Sequence, residues 1–268
     1  MKLDILDLTS NKIGEIKLPP QFEEELRPDL IHRAVLAIQS HKRQTYAASS
    51  EAGKRASAKL SRRRRDYRGS YGIGISRVPR KIMTRRGMRM NWVGAFAPGT
   101  VGGRKAHPPK PEKIWWKKIN EKERAKAIRS AMAATIMRDV VAQRGHLMPI
   151  NYPFILDSKF ESISKTKDVI DTFKKLGLEN ELARAEEKKI RAGKGKSRGR
   201  KYKKKKGPLV VVSKIDKLSM AVVNIPGIDI VDVKSLNAEL LAPGAKAGRL
   251  TLWTSAAINI LEKERLFS

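Results

Sequence analysis

Gly207-Pro-Leu-Val-Val-Val-Ser213, then Met220-Ala-Val-Val223, then Ile228-Asp-Ile-Val-Asp-Val233 lie within one short stretch of the chain. These runs are rich in β-branched residues and bounded by Pro and Gly, the pattern of strands. Leu209 to Val212 is apolar at every position and does not alternate, so both of its faces must be covered. Working outward, helical spacing is expected at about Ser235 to Leu241 and Ser255 to Lys263, with Trp253 in the core beside the last helix. Upstream, Phe154-Ile-Leu156 after Pro153 reads as a short buried strand. Two helices follow it, Thr166 to Leu176 and Glu179 to about Ile190, separated by Gly177. Ile128, Met132, Ile136 and Val140 give one apolar helix face ending near Gly145, with Asn120 and Glu123 spaced as a capping box. Lys2 to Leu8 reads as a first strand, Leu18-Pro-Pro-Gln21 as a turn, and Pro28 to roughly Tyr46 as a helix with Pro at its first position. Apolar strands alternating with helices predict an α/β fold, a three-layer sandwich with a mainly parallel central sheet.

Charge divides the chain differently. Of 268 residues 58 are Lys or Arg and 27 Asp or Glu, a formal net charge of +31. From His41 to Lys118 there are 22 basic residues against Glu51, Asp66 and Glu112; from Lys188 to Lys206 there are 12 and no acid. The remainder is neutral. A chain basic only for solubility would spread its charge, whereas concentration into segments points to a polyanionic partner. The predicted organisation is a globular α/β domain of residues 1–46 and 112–268, an extended basic internal loop of residues 47–111, and a basic low-complexity surface loop of residues 191–207. The segment 47–111 has no sustained period and carries nine glycines and five prolines. A stretch of that length is abnormal for a plain connection in a compact domain.

Arginine binds phosphate through two parallel hydrogen bonds and stacks on bases, and aromatic rings stack on bases as well. The candidate RNA-binding residues of the long segment are therefore Arg62, Arg63, Arg64, Arg65, Tyr67, Arg68, Tyr71, Arg77, Arg80, Lys81, Arg85, Arg86, Arg89, Trp92, Phe96, Arg104, Lys105, His107 and Lys110. Trp115 joins them where the segment meets the domain, and either ring of Trp115-Trp116 is open to a structural or a nucleic-acid role. Trp92 is the first candidate for a stacking or wedging ring. In the second tract Lys196, Arg198, Arg200 and Lys201 are candidates, expected to touch phosphates from a flexible loop and to add affinity rather than specificity.

Catalytic chemistry has little support. Cysteine is absent, which removes disulfides, thiolate metal sites and cysteine nucleophiles. His32, His41, His107 and His146 are the four histidines and none pairs with another at ligand spacing, so neither a metal nor a cofactor is expected. Gly72-Ile-Gly74 lacks the third glycine of a dinucleotide fingerprint, and Gly99 to Lys105 has the wrong spacing for a phosphate loop. An α/β enzyme acting on RNA is the competing class, and it would need a Gly-rich cofactor turn. No apolar run approaches the length of a membrane span and the acidic start is unlike a signal peptide, so an intracellular, soluble protein is expected.

Met83-Thr-Arg-Arg-Gly87, Trp92-Val-Gly-Ala-Phe96, Gly102-Gly-Arg-Lys-Ala-His107-Pro-Pro-Lys-Pro111 and Lys117-Lys-Ile-Asn-Glu-Lys-Glu-Arg124 together resemble the universal L-four family of large-ribosomal-subunit proteins. The resemblance covers essentially the whole chain and is of the archaeal type, without a long C-terminal extension after Ser268. It implies a non-enzymatic structural constituent of the large subunit, in the cytoplasmic ribosome. The implied partners are large-subunit ribosomal RNA, neighbouring ribosomal proteins and the nascent peptide, with no membrane, no homo-oligomer and no cofactor. It further implies a loop that helps assembly and reaches the wall of the nascent-peptide exit tunnel. By position the tip falls within Met83 to Gly103, with Arg85, Arg86, Gly87, Met88, Arg89, Met90, Asn91 and Trp92 nearest the tunnel.

Overall fold

Residues 1–87 and 89–267 are described by the structure, a computed structural model; Met88, one of the expected tip residues, lies outside them, as does Ser268. In chain order the N-terminal part forms β1 (Lys2–Leu6), β2 (Lys12–Lys17) and α1 (Pro28–His41). The basic segment holds four two-residue strands: β3 (Arg80–Lys81), β4 (Arg85–Arg86), β5 (Arg89–Met90) and β6 (Val93–Gly94). Then come α2 (Glu121–Ile136), α3 (Arg138–Gln143), β7 (Ile155–Leu156), α4 (Thr166–Lys175), α5 (Glu179–Glu186), β8 (Lys188–Ile190) and β9 (Tyr202–Lys204). The chain finishes with β10 (Leu209–Val212), α6 (Lys217–Val222), β11 (Asp229–Asp232), α7 (Ala238–Leu241), β12 (Thr251–Thr254) and α8 (Ser255–Lys263). Two compact units result, residues 1–42 with 116–268, and residues 43–115.

The first unit is built on one sheet ordered β11-β10-β12-β7-β1-β2, parallel throughout except for the antiparallel β1–β2 edge. Val210 lies beside Ile230 on one side and Leu252 on the other, and Ile155 lies between Trp253 and Ile5. Because side chains alternate along a strand, β10 splits cleanly. Leu209 and Val211 join Trp253, Ile155 and Leu3 against Ile31 and Val35 of α1, Ile128 and Met132 of α2, and Ile258 of α8. Val210 and Val212 join Leu252, Leu156 and Leu6 against Phe173 of α4, Leu178, and Leu218 and Val222 of α6. Helices cover both faces, so the fold is the three-layer α/β sandwich with a mainly parallel sheet.

Several elements differ from their sequence reading for identifiable reasons. Met220 to Val223 is not a strand but lies on and just after α6, where Leu218, Ala221 and Val222 are buried at spacings of three and four while Met220 and Val223 face outward. That helical period overrides β-branched propensity. The first helix ends at His41 rather than near Tyr46. The helix after Asn120 breaks at Met137 (φ −75°, ψ 104°) before α3 resumes, and the chain turns at Gly145 with φ +90°. Asn120 makes no side-chain cap, and Glu123 instead meets Arg33 at 3.0 Å. β2 was invisible as a strand because it is a Lys-flanked edge with little burial, a common way of protecting an edge from stray pairing. The helix begun at Glu179 stops at Glu186, and residues 188–204 form the β8–β9 hairpin instead of a helix running into a loop. Ile190 and Tyr202 sit opposite each other there, giving the hairpin an apolar pair among lysines.

The second unit has almost no interior. Among its described residues only Ser70, Trp92 and Ala95 are buried. β3 pairs with β6 and β4 with β5, each antiparallel, and Asn91 ties back to Thr84 through both its backbone N–H (3.0 Å) and its side-chain amide (2.9 Å). Elsewhere the unit is held by close backbone passage. A Cβ at Gly103 would sit 2.3 Å from the Ala97 carbonyl oxygen, and one at Gly53, whose φ is +73°, would sit 2.4 Å from the Arg104 nitrogen. Replacing Gly103 by Ala is expected to cost about 1–3 kcal/mol of local stability through this overlap. Limited proteolysis should find new cleavage within 43–115 while the other unit stays intact.

Candidate nucleic-acid interface

The unit 43–115 contains 19 Lys and Arg against Glu51, Asp66 and Glu112. Among its described residues the one ion pair is Arg55 with Glu51, at 3.3 Å and exposed. In the other unit several cations are paired internally, as with Arg129 and Glu24 at 2.8 Å. Like charges at this density repel, and a surface of unpaired arginines supports a strong positive field. Arg62, Arg63, Arg64, Arg65, Arg68, Arg77, Lys81, Arg85, Arg86, Arg89, Lys105, His107 and Lys110 are all exposed, and Arg104 is half-buried. In the hairpin Lys196, Arg198, Arg200 and Lys201 are exposed as well.

The aromatic residues are less uniform. Tyr67 is exposed beneath Arg68 (5.0 Å from guanidinium carbon to ring centre), and Tyr71 beneath Arg77 (4.6 Å). Each such pair presents a flat cation on a ring, a surface suited to stacking bases. Phe96 is exposed with φ +67°, and Arg65 and Arg68 also adopt left-handed backbone, at φ +56° and +60°. Such conformations cost about 1–3 kcal/mol each and cluster where ligands are gripped.

Two of the candidates are placed differently from the rest. Trp92, expected to stack or wedge, is buried at 8 % exposure, immediately before β6 and its pairing with β3. Arg80 is half-buried and its guanidinium is spent within the unit, donating to the Trp92 carbonyl at 2.8 Å and to Ser76 Oγ at 2.9 Å. Both hold the arm's shape. Trp92→Phe should therefore leave RNA affinity within about twofold, whereas Trp92→Ala should cost about 3–5 kcal/mol of local stability. Hydrogen exchange of the β3 and β6 amides separates the two outcomes.

Trp115 is half-buried and its ring is already engaged: Arg43 lies 3.7 Å from its centre, Lys113 4.3 Å, and Tyr46 stacks at 5.6 Å with 21° between planes. Trp116, in the other unit, is exposed and meets the His41 ring edge-on at 6.0 Å. Arg43 is not marked in the sequence because its role depends on a ring distant in the chain. Tyr46, Lys105, His107, Lys110 and Trp115 line a cleft of about 770 Å³ in which cations surround a ring system, apt for a phosphate beside a base.

The carboxyl ends of parallel strands are where an α/β enzyme would bind its substrate. The Glu161 carboxylate accepts hydrogen bonds from the Ser213 N–H (2.9 Å) and from the Ser213 and Thr254 hydroxyls, closing the ends of β10 and β12. Among the described residues no cluster of His, Asp or Glu has the arrangement of a metal site, and no helix is long and apolar enough to cross a membrane.

Comparison with known proteins gives the family. Residues 16–264 match the model of the ribosomal protein L4/L1 family. The chain is 52 % identical over 268 residues to a protein of Nanoarchaeum equitans named large ribosomal subunit protein uL4, covering 100 % of both chains. Proteins of the same name are 45 % identical in Archaeoglobus fulgidus, over 97 % of this chain and 98 % of that one, and 46 % identical in Methanocaldococcus jannaschii, over 99 % of each. All three sources are archaeal, as the resemblance implied. With nearly its whole length matched by one family model, and with full-length relatives far above chance identity, the chain belongs to the ribosomal protein L4/L1 family.

Proposed function

We propose that the chain is a structural constituent of the large ribosomal subunit in the cytoplasm, not an enzyme, and that it acts by binding large-subunit ribosomal RNA. The observation that carries this reading is the unit 43–115, where exposed cations go unpaired and only Ser70, Trp92 and Ala95 among the described residues are buried. Arg62 to Arg65, Arg68, Arg77, Arg85, Arg86 and Arg89 neutralise phosphates, and the Tyr67–Arg68 and Tyr71–Arg77 pairs stack on unpaired bases. Recognition is led by RNA shape, since a backbone-neutralising arm carries little base-edge readout. Neighbouring large-subunit proteins are further partners.

The hairpin β4–β5, with Arg85 opposite Met90 and Arg86 opposite Arg89, is the end of the arm that approaches the exit tunnel and the nascent peptide. A photo-crosslinker in place of Arg89 is expected to label an arrested nascent chain inside particles, while one in place of Lys54 labels RNA only; labelling from neither position removes the tunnel assignment. The competing class, an enzyme on RNA, is tested by sedimentation. The chain should remain with large subunits through high salt and gain no thermal stability from a nucleotide or a methyl donor.

A further inference from the structure

A second cationic cluster lies within the α/β unit. A cleft of about 620 Å³ opens at the base of the β8–β9 hairpin. Its walls bring together cations that are far apart in sequence: Arg144, Arg184, Lys189, the run Lys203 to Lys206, and Lys246, with Glu187 as the one acid among them. Glu187 is already committed to Lys205 and, at 3.5 Å, to Lys189.

The arginines of this region differ in how they are balanced. Arg184 forms a two-pronged pair with Glu181 at 2.6 and 2.7 Å, and Arg249 meets Asp229 at 2.6 Å. Among the described residues Arg144 has no carboxylate partner. It donates to the Pro243 carbonyl at 2.6 Å and to that of Lys246, neutral acceptors that leave its charge uncompensated. Burial, and then repulsion from Arg249 and Arg184, hold its guanidinium down at about 10. A half-buried cation that faces other cations across a cleft is stabilised by an anion entering from outside.

We propose that this cleft is a second phosphate-binding site, and that its occupant is the sugar-phosphate backbone of RNA. This rests on the proposed RNA-binding function and extends it to the α/β unit. The lining argues for phosphate rather than base: His146 is its one ring, and that ring is buried against Glu181 at 2.6 Å. The track argues for a polymer over a small polyphosphate. Lys196, Arg198, Arg200 and Lys201 continue the positive surface along the hairpin, farther than a compact anion could cover.

The test is lysine-acylation footprinting of the full chain, read by mass spectrometry with large-subunit RNA, with inorganic tripolyphosphate, and alone. RNA is expected to suppress reaction at Lys203, Lys204 and Lys246 as well as at Lys54, Lys81, Lys105 and Lys110 of the arm. Suppression in the arm alone would overturn the cleft assignment and leave the function standing. Suppression of the cleft lysines by tripolyphosphate but not by RNA would overturn the choice of occupant. No suppression anywhere would overturn the proposed function, and this inference with it. Because Arg144→Gln also loses bonds to the backbone, the companion variant combines Lys203→Gln, Lys204→Gln and Lys246→Gln, all at exposed positions. Its RNA binding should show a log-affinity against log-salt slope shallower by about 2, from roughly 0.7 per phosphate contact on a single strand; an unchanged slope counts against the site.

Discussion

Glu181→Ala is expected to destabilise the α/β unit by about 3–5 kcal/mol, measured by chemical denaturation, because it strips the anion from a buried charge network. Glu181 is fully buried, and its carboxylate accepts from Arg184 twice, from His146 Nδ1 at 2.6 Å, and from the Leu147 N–H at 3.0 Å. A carboxylate can only accept, so Nδ1 must carry the imidazole proton. Burial pushes the Glu181 carboxyl up, but Arg184, His146 and the Leu147 N–H together draw it below the usual range. Burial pushes His146 down, and Glu181 only partly opposes it. The signs then agree. The unfolded chain takes up a proton on His146 near its ordinary value of about 6.5, before the folded chain does, so stability falls as pH drops through that value. Glu181 adds a second loss as pH falls below the ordinary carboxylate value, about 4.3, towards its depressed folded one. Both acid losses should be absent in Glu181→Ala/His146→Phe, whatever the residual stability.

The second large effect concerns binding. Converting Arg62, Arg63, Arg64 and Arg65 together to Gln should weaken RNA binding by roughly two orders of magnitude at low salt and flatten the log-affinity against log-salt slope by about 3–4, at 0.7–0.9 per phosphate released. Folding should be unaffected, since all four side chains are exposed and none holds an ion pair among the described residues. An equal change in Arg33, which is exposed but paired with Glu123, should leave the slope almost untouched. A uniform loss across RNA sequences would mark the contacts as backbone contacts, whereas loss confined to one sequence would mark them as base readers.

The sheet was legible because parallel strands buried on both faces are written as unbroken apolar runs: Leu209 to Val212 and Ile155-Leu156 need no tertiary information to be recognised. Edges and amphipathic turns were not. Lys12–Lys17 has too little burial to leave a pattern, and Met220 to Val223 carries strand-like residues on a helix whose buried positions become visible only once the layer above the sheet is known. The arm's charge was plain from composition, but the division of labour within it was not. Nothing local marks Arg80 as a brace or Trp92 as a plug. Their roles arise from the pairing of β3 with β6, two residues a side and too short to carry a period. The cleft at the hairpin base was hidden for another reason: Arg144, Lys204 and Lys246 are separated by long stretches of chain, and only the fold assembles them.

Residue-resolved crosslinking between the chain and RNA in purified native large subunits weighs the whole account most directly. Adducts should concentrate at Arg62 to Arg65, Tyr67, Tyr71, Arg85, Arg86 and Arg89, and ribonuclease should release the arm to rapid proteolysis. An arm free of adducts, cleaved at the same rate in the particle and in isolation, with crosslinks confined to the α/β unit, would contradict it.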